Sequence, residues 1–250
     1  MQTETALRSG VRARFSAHIY TGFTLIELAI VLFIITLLLG GILTPLGQQV
    51  VEHQTTESRR TLEAARIALV GYALRQAGQA GPLPCPDLRA GHATQANDGL
   101  EDRLADGACA ALSGNLPWKT LGLTQGDAWG NHLSYAVAAD WSVAGTPLAE
   151  AMAELQVCPN RACNSPTLAA AIVISHGRNG FGAKNINGGD NLMPTTLDEL
   201  ENINSDARFI MHSPRAADRP EGEFDDLMLP LSSDWLRGRL CDPASLCVGS

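Results

Sequence analysis

Gly22-Phe23-Thr24-Leu25-Ile26-Glu27-Leu28 opens the stretch that decides how this chain is built. Phe23 begins an apolar run that continues through Leu43 and is interrupted by one carboxylate, Glu27, at its fifth residue. A bilayer core is spanned by a helix of about 20 mostly apolar residues. A carboxylate inside such a span costs on the order of 2–3 kcal/mol at the centre and less near an end, so Glu27 is expected to meet a positive group. The run lacks Gly and Pro until Gly40-Gly41 and Pro45, where a helix should bend or loosen. Its character then changes. Val50, Leu62, Ala65, Leu69 and Ala73 recur near helical spacing, with Glu52, Arg59, Arg60, Glu63 and Arg66 between them. Gly78, Gly81 and Pro82 stop the pattern. The sequence thus predicts one long helix over 23–78, its first half in lipid and its amphipathic second half packed on a globular head.

Upstream, residues 1–22 form a leader holding Arg8, Arg12 and Arg14 against Glu4. Basic residues just before a span place the leader in the cytoplasm and the bulk of the chain outside. A secretory signal peptide also has a basic start, but its core is usually about 7–15 residues and small residues follow it. A plain anchor would fit the length and leave Gly22-Phe23 and Glu27 unexplained.

Gly22 to Leu28 resembles, without departure, the G-F-T-L-I-E-L signature of type IV prepilins and of the pseudopilins of type II secretion. The likeness is local but specific. It implies cleavage between Gly22 and Phe23 by prepilin peptidase and methylation of the new N-terminal Phe23. It also implies assembly in which the Glu27 carboxylate meets the amine of a neighbouring subunit and sets its register. The implied fold is pilin-like α+β: the long helix packed on an antiparallel sheet, with 79–250 as an exported head.

The six cysteines all lie beyond the apolar run, and an exported domain meets an oxidising compartment where disulfides persist. Sequence neighbours are the expected pairs: Cys85 with Cys109, Cys158 with Cys163, Cys241 with Cys247. Zinc is disfavoured, because no C-x-x-C occurs and the histidines do not cluster. Between the first pair, Asp87, Asp98, Glu101, Asp102 and Asp106 read as a solvated acidic loop, since the fixed spacing of a calcium loop is absent.

Strands are predicted at Leu133–Val137, over the continuous apolar run Leu168–Ser175, at Phe209–Met211 and at Leu227–Leu231, where Pro230 marks an edge or an end. Pro147–Leu155 reads as a short helix, and Thr196-Leu197-Asp198-Glu199 as a capping box starting another. Asp127-Ala128-Trp129-Gly130-Asn131 resembles the D-x-W-G-N segment of the major pseudopilins, with a structural role: a tight turn at Gly130, a side chain at Asn131 bonding its own turn, and a buried anchor at Trp129. Ile174 to Gly182, with Ser175-His176-Gly177-Arg178-Asn179-Gly180, resembles the S-x-G-x-[DN]-G loop of the same proteins, and Phe224-Asp225-Asp226-Leu227 their late acidic segment. Together these imply calcium at Asn179, Asp225 and Asp226. Asn179 stands where Asp is common, and an insertion over 192–221 separates the two parts, so a hydrogen-bonded turn is the alternative. No other cofactor is required.

Nothing nominates a catalytic site. Ser175 and His176 are adjacent, so their side chains diverge on a strand. No G-x-S-x-G, phosphate loop or H-E-x-x-H occurs, and His132, His176 and His212 are scattered. A formal net charge of −8 with no basic patch excludes a nucleic-acid surface. The expected function is that of a minor subunit of a type IV pilus-like or type II secretion filament, and not an enzyme. Its expected partners are other subunits, prepilin peptidase and an inner-membrane assembly platform. Its expected location is single-pass in the inner membrane with a periplasmic head, then a periplasmic or surface filament. The alternative is a membrane-anchored periplasmic enzyme or adhesive module carrying this export signal.

Overall fold

The computed structural model describes residues 22–75, 81–89, 96–143, 146, 148 and 150–241, with side chains of 39–46 excepted. The leader arginines, Gly78 and Cys247 lie outside the described residues. The chain divides into two units, Met1–Gln48 and Gln49–Ser250.

Helix α1 (Leu25–Leu74) belongs to both units and keeps helical backbone through Gly40-Gly41 and Pro45. Its start is a reciprocal capping box. The Glu27 amide donates to Thr24 Oγ1 at 3.3 Å, and the Thr24 amide and hydroxyl donate to Glu27 Oε2 at 3.4 Å. This satisfies orphan donors of the first turn, a local role for Glu27 beside any that its charge plays between chains. Large apolar side chains from Leu25 to Leu38 are exposed, Leu25 at 88% and Phe33 at 64%.

No helix among the described residues is long and apolar enough to cross a membrane. This overturns the single-pass inner-membrane location expected from the sequence. Between Glu27 and Gly40-Gly41 the segment Leu28–Leu39 is apolar apart from Thr36, about 18 Å of helix against a hydrocarbon core of about 30 Å. Polar residues Thr44, Gln48 and Gln49 follow soon after.

In the second unit, α1 turns Leu62, Ala65, Leu69 and Ala73 inward. Their spacing of three, four and four keeps them on one helical face. They join one apolar cluster with Tyr135, Val137, Ile172, Ile174 and Leu231. Val50, expected on the same face, is exposed. The sheet beneath is antiparallel with strand order β1-β2-β5-β7: β1 (Ser113–Asn115), β2 (Ser134–Val137), β5 (Ala171–Ser175) and β7 (Leu227–Leu231). The head is therefore α+β, a helix packed on an antiparallel sheet. Strand β5 is buried along its whole length, as its unbroken aliphatic run requires of a central strand. β7 takes an edge, where Pro230 sacrifices no needed ladder donor.

A second sheet has the order β4-β3-β6, from β3 (Leu155–Cys158), β4 (Thr167–Ala169) and β6 (Arg208–Ile210), with β3 and β6 parallel. The predicted strand Leu168–Ser175 is thus two strands, divided at Ala170 between the two sheets. The expected helix at Pro147–Leu155 is not found among the described residues, because Leu155 opens β3 instead. Short helices α2 (Trp118–Leu121), α3 (Ala139–Ser142) and α4 (Leu197–Glu201) lie in the connections, and α5 (Ser233–Leu240) ends the described chain.

Disulfides join Cys85 to Cys109 and Cys158 to Cys163. Cys241 is likewise disulfide-bonded; its expected partner Cys247 lies outside the described residues. The acidic loop inside the first bridge is solvated only in part: Asp106 is exposed, while Asp87, Glu101 and Asp102 are engaged by the fold. Asp87 is fully buried and accepts from the Gly99 amide at 2.9 Å. Glu101 Oε2 accepts from the Cys85 amide at 3.0 Å and pairs with Arg103, while Oε1 accepts from the Tyr72 hydroxyl. Asp102 accepts from the Leu88 amide at 2.7 Å. These carboxylates tie the described parts of an irregular segment, 81–89 and 96–109, to one another and to Tyr72 of α1.

Candidate functional site

Strand pairing builds the site. Ser175 at the end of β5 is opposite Leu227 at the start of β7, so the loop leaving β5 at His176 runs beside Asp225-Asp226 entering β7. Gly177 has a φ of +57°, and a Cβ there would stand 2.3 Å from the Asp225 carbonyl oxygen. Only glycine allows the two segments this approach. The Asn179 amide then donates to Asp225 Oδ2 at 2.9 Å.

The insertion contributes a third piece. Glu199, on α4 and 1% exposed, accepts at Oε1 from Asn179 Nδ2 at 3.1 Å and from the Asp225 amide at 3.2 Å. Carboxylate oxygens of Glu199, Asp225 and Asp226 all lie within 4.8 Å of one another. Burial, with the neighbouring charges of Glu199, Asp226 and Glu223, pushes the Asp225 carboxyl up to about 7 against the pull of the Asn179 amide. Burial first, then the charges of Asp226 and Glu223, likewise raises Glu199. Glu199 Oε2 and Asp225 Oδ1 are buried without a hydrogen-bond partner. Two buried, unpartnered carboxylate oxygens with raised proton affinity are what a hard cation would relieve, since such ions prefer oxygen ligands.

Of the expected ligand set, Asn179 and Asp225 meet directly, while Asp226 is diverted. Its Oδ1 faces His176 Nδ1 at 3.2 Å and its Oδ2 accepts from Asn202 Nδ2 at 2.7 Å. Asn179 Oδ1 is used by the Phe181 amide at 2.9 Å, so the hydrogen-bonded turn is present as well. Glu199 was missed because Thr196-x-x-Glu199 read as a capping box. Thr196 makes no side-chain cap bond, and its buried Oγ1 has no partner. Glu199 stands between Asp198 and Glu201 inside the insertion, and nothing local in the sequence sets it apart from them.

A polar chain continues from Asp226 into the sheet. His176, fully buried, places Nε2 2.6 Å from the hydroxyl of Ser134 on the neighbouring strand β2. Arg89 also donates from Nη2 to Ser134 Oγ, from Nε to Asn115 Oδ1 at 3.0 Å and from Nη1 to the Gly182 carbonyl at 2.9 Å. Burial lowers the Arg89 pKa. Among the described residues no carboxylate pairs with it. His176 is therefore not the isolated histidine its sequence neighbourhood suggests; its partner hydroxyl is Ser134, not Ser175.

The D-x-W-G-N segment behaves as a turn with a different closing residue from the one expected. Asp127 Oδ1 accepts from the amides of Trp129 and Asn131, each at 3.0 Å, and Oδ2 accepts from Ser175 Oγ at 2.6 Å. Asn131 instead accepts from Asn191 Nδ2 at 2.7 Å. Trp129 is half-buried, and the Ala128 amide donates to Ser58 of α1 at 3.2 Å. Asp127 serves as the turn's acceptor, with its acidity weakened by burial. Gly22 has nothing within 4 Å of a would-be Cβ, and Phe23 is 81% exposed. Comparison with known proteins finds no matching family model, no matching curated protein and no matching solved structure.

Proposed function

We propose that this chain is a minor subunit of a type IV pilus-like or type II secretion filament, cleaved between Gly22 and Phe23, methylated on Phe23 and assembled through the first part of α1. The observation that carries the reading is the combination at that end of the chain. An exposed Gly22-Phe23 junction is followed by a helix whose large side chains from Leu25 to Leu38 are apolar and uncovered, with Glu27 as the single charge among them. Uncovered apolar residues at this density mark an interaction surface. Burying one such side chain contributes about 1.5–3 kcal/mol, so packing helix on helix between copies would offset the cost of ordering them. The partners are other subunits of the same filament, prepilin peptidase and an assembly platform.

Gly22→Ala should retain the leader. A normal mobility shift of that variant on maturation would remove the cleavage claim. Recovery of the wild-type chain in sheared filaments, or with the assembly platform, distinguishes a subunit from a module that only shares the export signal.

Calcium at Glu199 and Asp225, with further oxygen ligands from the adjacent loop, is part of the proposal. It rests on the unpartnered oxygens Glu199 Oε2 and Asp225 Oδ1. A bound cation would lock the loop after β5 to the insertion. A melting temperature unaffected by EGTA would dispose of it.

A further inference from the structure

From the alignment of Ser134, His176 and Asp226 along one hydrogen-bonded line, we infer an acyl-transfer site for short-chain acyl esters in the head. Ser134 Oγ lies 2.6 Å from His176 Nε2, and His176 Nδ1 lies 3.2 Å from Asp226 Oδ1. This is the order of contacts by which a carboxylate orients an imidazole and the imidazole activates a hydroxyl. Ser134 opens β2, His176 directly follows β5 and Asp226 directly precedes β7, neighbouring strands of one sheet. Ser134 is paired with Ile174, two positions before His176, and Asp226 directly precedes Leu227. The register therefore fixes the line, and Asn202 Nδ2 holds the far oxygen of Asp226 at 2.7 Å.

The tautomer follows from the partners. With the carboxylate at Nδ1, that nitrogen carries the proton, and Nε2 is left as acceptor for the Ser134 hydroxyl. A hydrogen-bonded line of this kind inside a solid core would only lock the strands together. Here Ser134 lines a cavity of about 190 Å³ together with Arg89, Ser113, Asn202, Ile203 and Phe209. Arg89 supplies what a hydroxyl nucleophile needs next to it. It is a cation with no carboxylate partner among the described residues. Three of its N–H groups are used, on Asn115, Gly182 and Ser134, out of the five a guanidinium has.

In the reaction, Ser134 Oγ attacks the ester carbonyl carbon while its proton passes to His176 Nε2. The carbonyl oxygen becomes an oxyanion beside the Arg89 guanidinium, a fixed positive group where negative charge develops. Collapse breaks the bond to the leaving alcohol, which takes the proton from His176. Water, deprotonated by the same nitrogen, then releases the acyl group as a carboxylic acid and restores Ser134. The cavity volume limits the acyl group to a few carbons.

The test is labelling of the folded full chain with a fluorophosphonate probe, the modified residue being mapped by peptide mass spectrometry, alongside hydrolysis of p-nitrophenyl acetate and p-nitrophenyl octanoate. Expected are labelling at Ser134, loss of labelling in Ser134→Ala, at least a tenfold slower reaction in Asp226→Asn, and hydrolysis of the acetyl ester at least tenfold faster than the octanoyl ester. Absence of label on Ser134 in the folded wild-type chain overturns the assignment, and so does equal labelling of wild type and Asp226→Asn. Wild-type labelling mapped to Ser134 decides the question even where a variant does not fold.

Discussion

Three carboxylates whose proton affinity is raised by burial, Asp87, Glu199 and Asp225, set the behaviour of single residues here. Asp87 has no exposed surface, one oxygen bonded to Gly99 and the other, Oδ1, without a partner. Burial, reinforced by the charges of Asp98 and Asp102, pushes its carboxyl from 3.8 up to about 7. The folded chain therefore holds this proton more tightly than the unfolded chain does. The associated stability is fully present below about pH 4 and is lost as pH rises toward 7. Asp87→Asn should remove that loss, raising stability by on the order of 4 kcal/mol at pH 8 while changing little at pH 4. Urea denaturation at the two pH values checks this, and a pH-independent difference would reject it. Asp225 and Glu199 meet the same problem side by side. Millimolar calcium should raise the melting temperature of the wild-type chain, by a free energy of about 2–3 kcal/mol if the ion is a hundredfold above its dissociation constant. Asp225→Asn should abolish the response. An undiminished calcium shift in that variant would place the ion elsewhere.

At the scale of elements, what was legible in the sequence was what a periodic pattern or a chemical rule encodes. The inward face Leu62, Ala65, Leu69, Ala73, the buried strand over 171–175 and the edge position of Pro230 follow from spacing and from the missing donor of proline. The two described disulfides join the cysteines that are neighbours in sequence. The split at Ala170 was not legible, because a continuous aliphatic run carries no mark of where it changes sheets. Leu155 was assigned to a helix because its partners, Ala169 and the segment at Arg208, are distant in sequence. The site failed for a related reason. Ser134, His176 and Asp226 stand 42 and 50 residues apart, and only the strand register makes them neighbours. Gly177 is where the elements depend most on one residue. With φ at +57° and the Asp225 backbone 2.3 Å from a would-be Cβ, Gly177→Ala should cost about 2–4 kcal/mol. It should also uncouple the β5 loop from β7, so that the calcium response falls with the stability. A thermal melt equal to wild type would mean the loop relaxes freely. The Cys85–Cys109 bridge, of sequence separation 24, should contribute about 3 kcal/mol by restricting the unfolded chain. Its double serine variant should show that loss in denaturant titration.

For the whole molecule the question is what Glu27 does, and its geometry makes the question sharper than the sequence did. In the isolated chain Glu27 closes a capping box with Thr24 at 3.3–3.4 Å, a contact worth about 1 kcal/mol at a helix start. In a filament, the proposed role is different: its charge would meet the free amine of Phe23 on a neighbouring subunit and fix the axial register. The two roles need different properties of the same side chain. A cap requires only an oxygen acceptor, which Gln retains. An ion pair in an apolar contact requires the negative charge, because the neighbouring ammonium would otherwise be left buried without a partner, at a cost of several kcal/mol. Glu27→Gln should therefore be cleaved after Gly22 like the wild type and keep the helix start, yet enter filaments at least tenfold less. Glu27→Ala should lose both properties and fail at the same step. Incorporation is read from sheared filaments against total cleaved protein. If Glu27→Gln incorporates like the wild type while Glu27→Ala does not, the carboxylate acts as a helix cap alone, and the register of the filament must come from the packing of Leu25 to Leu38.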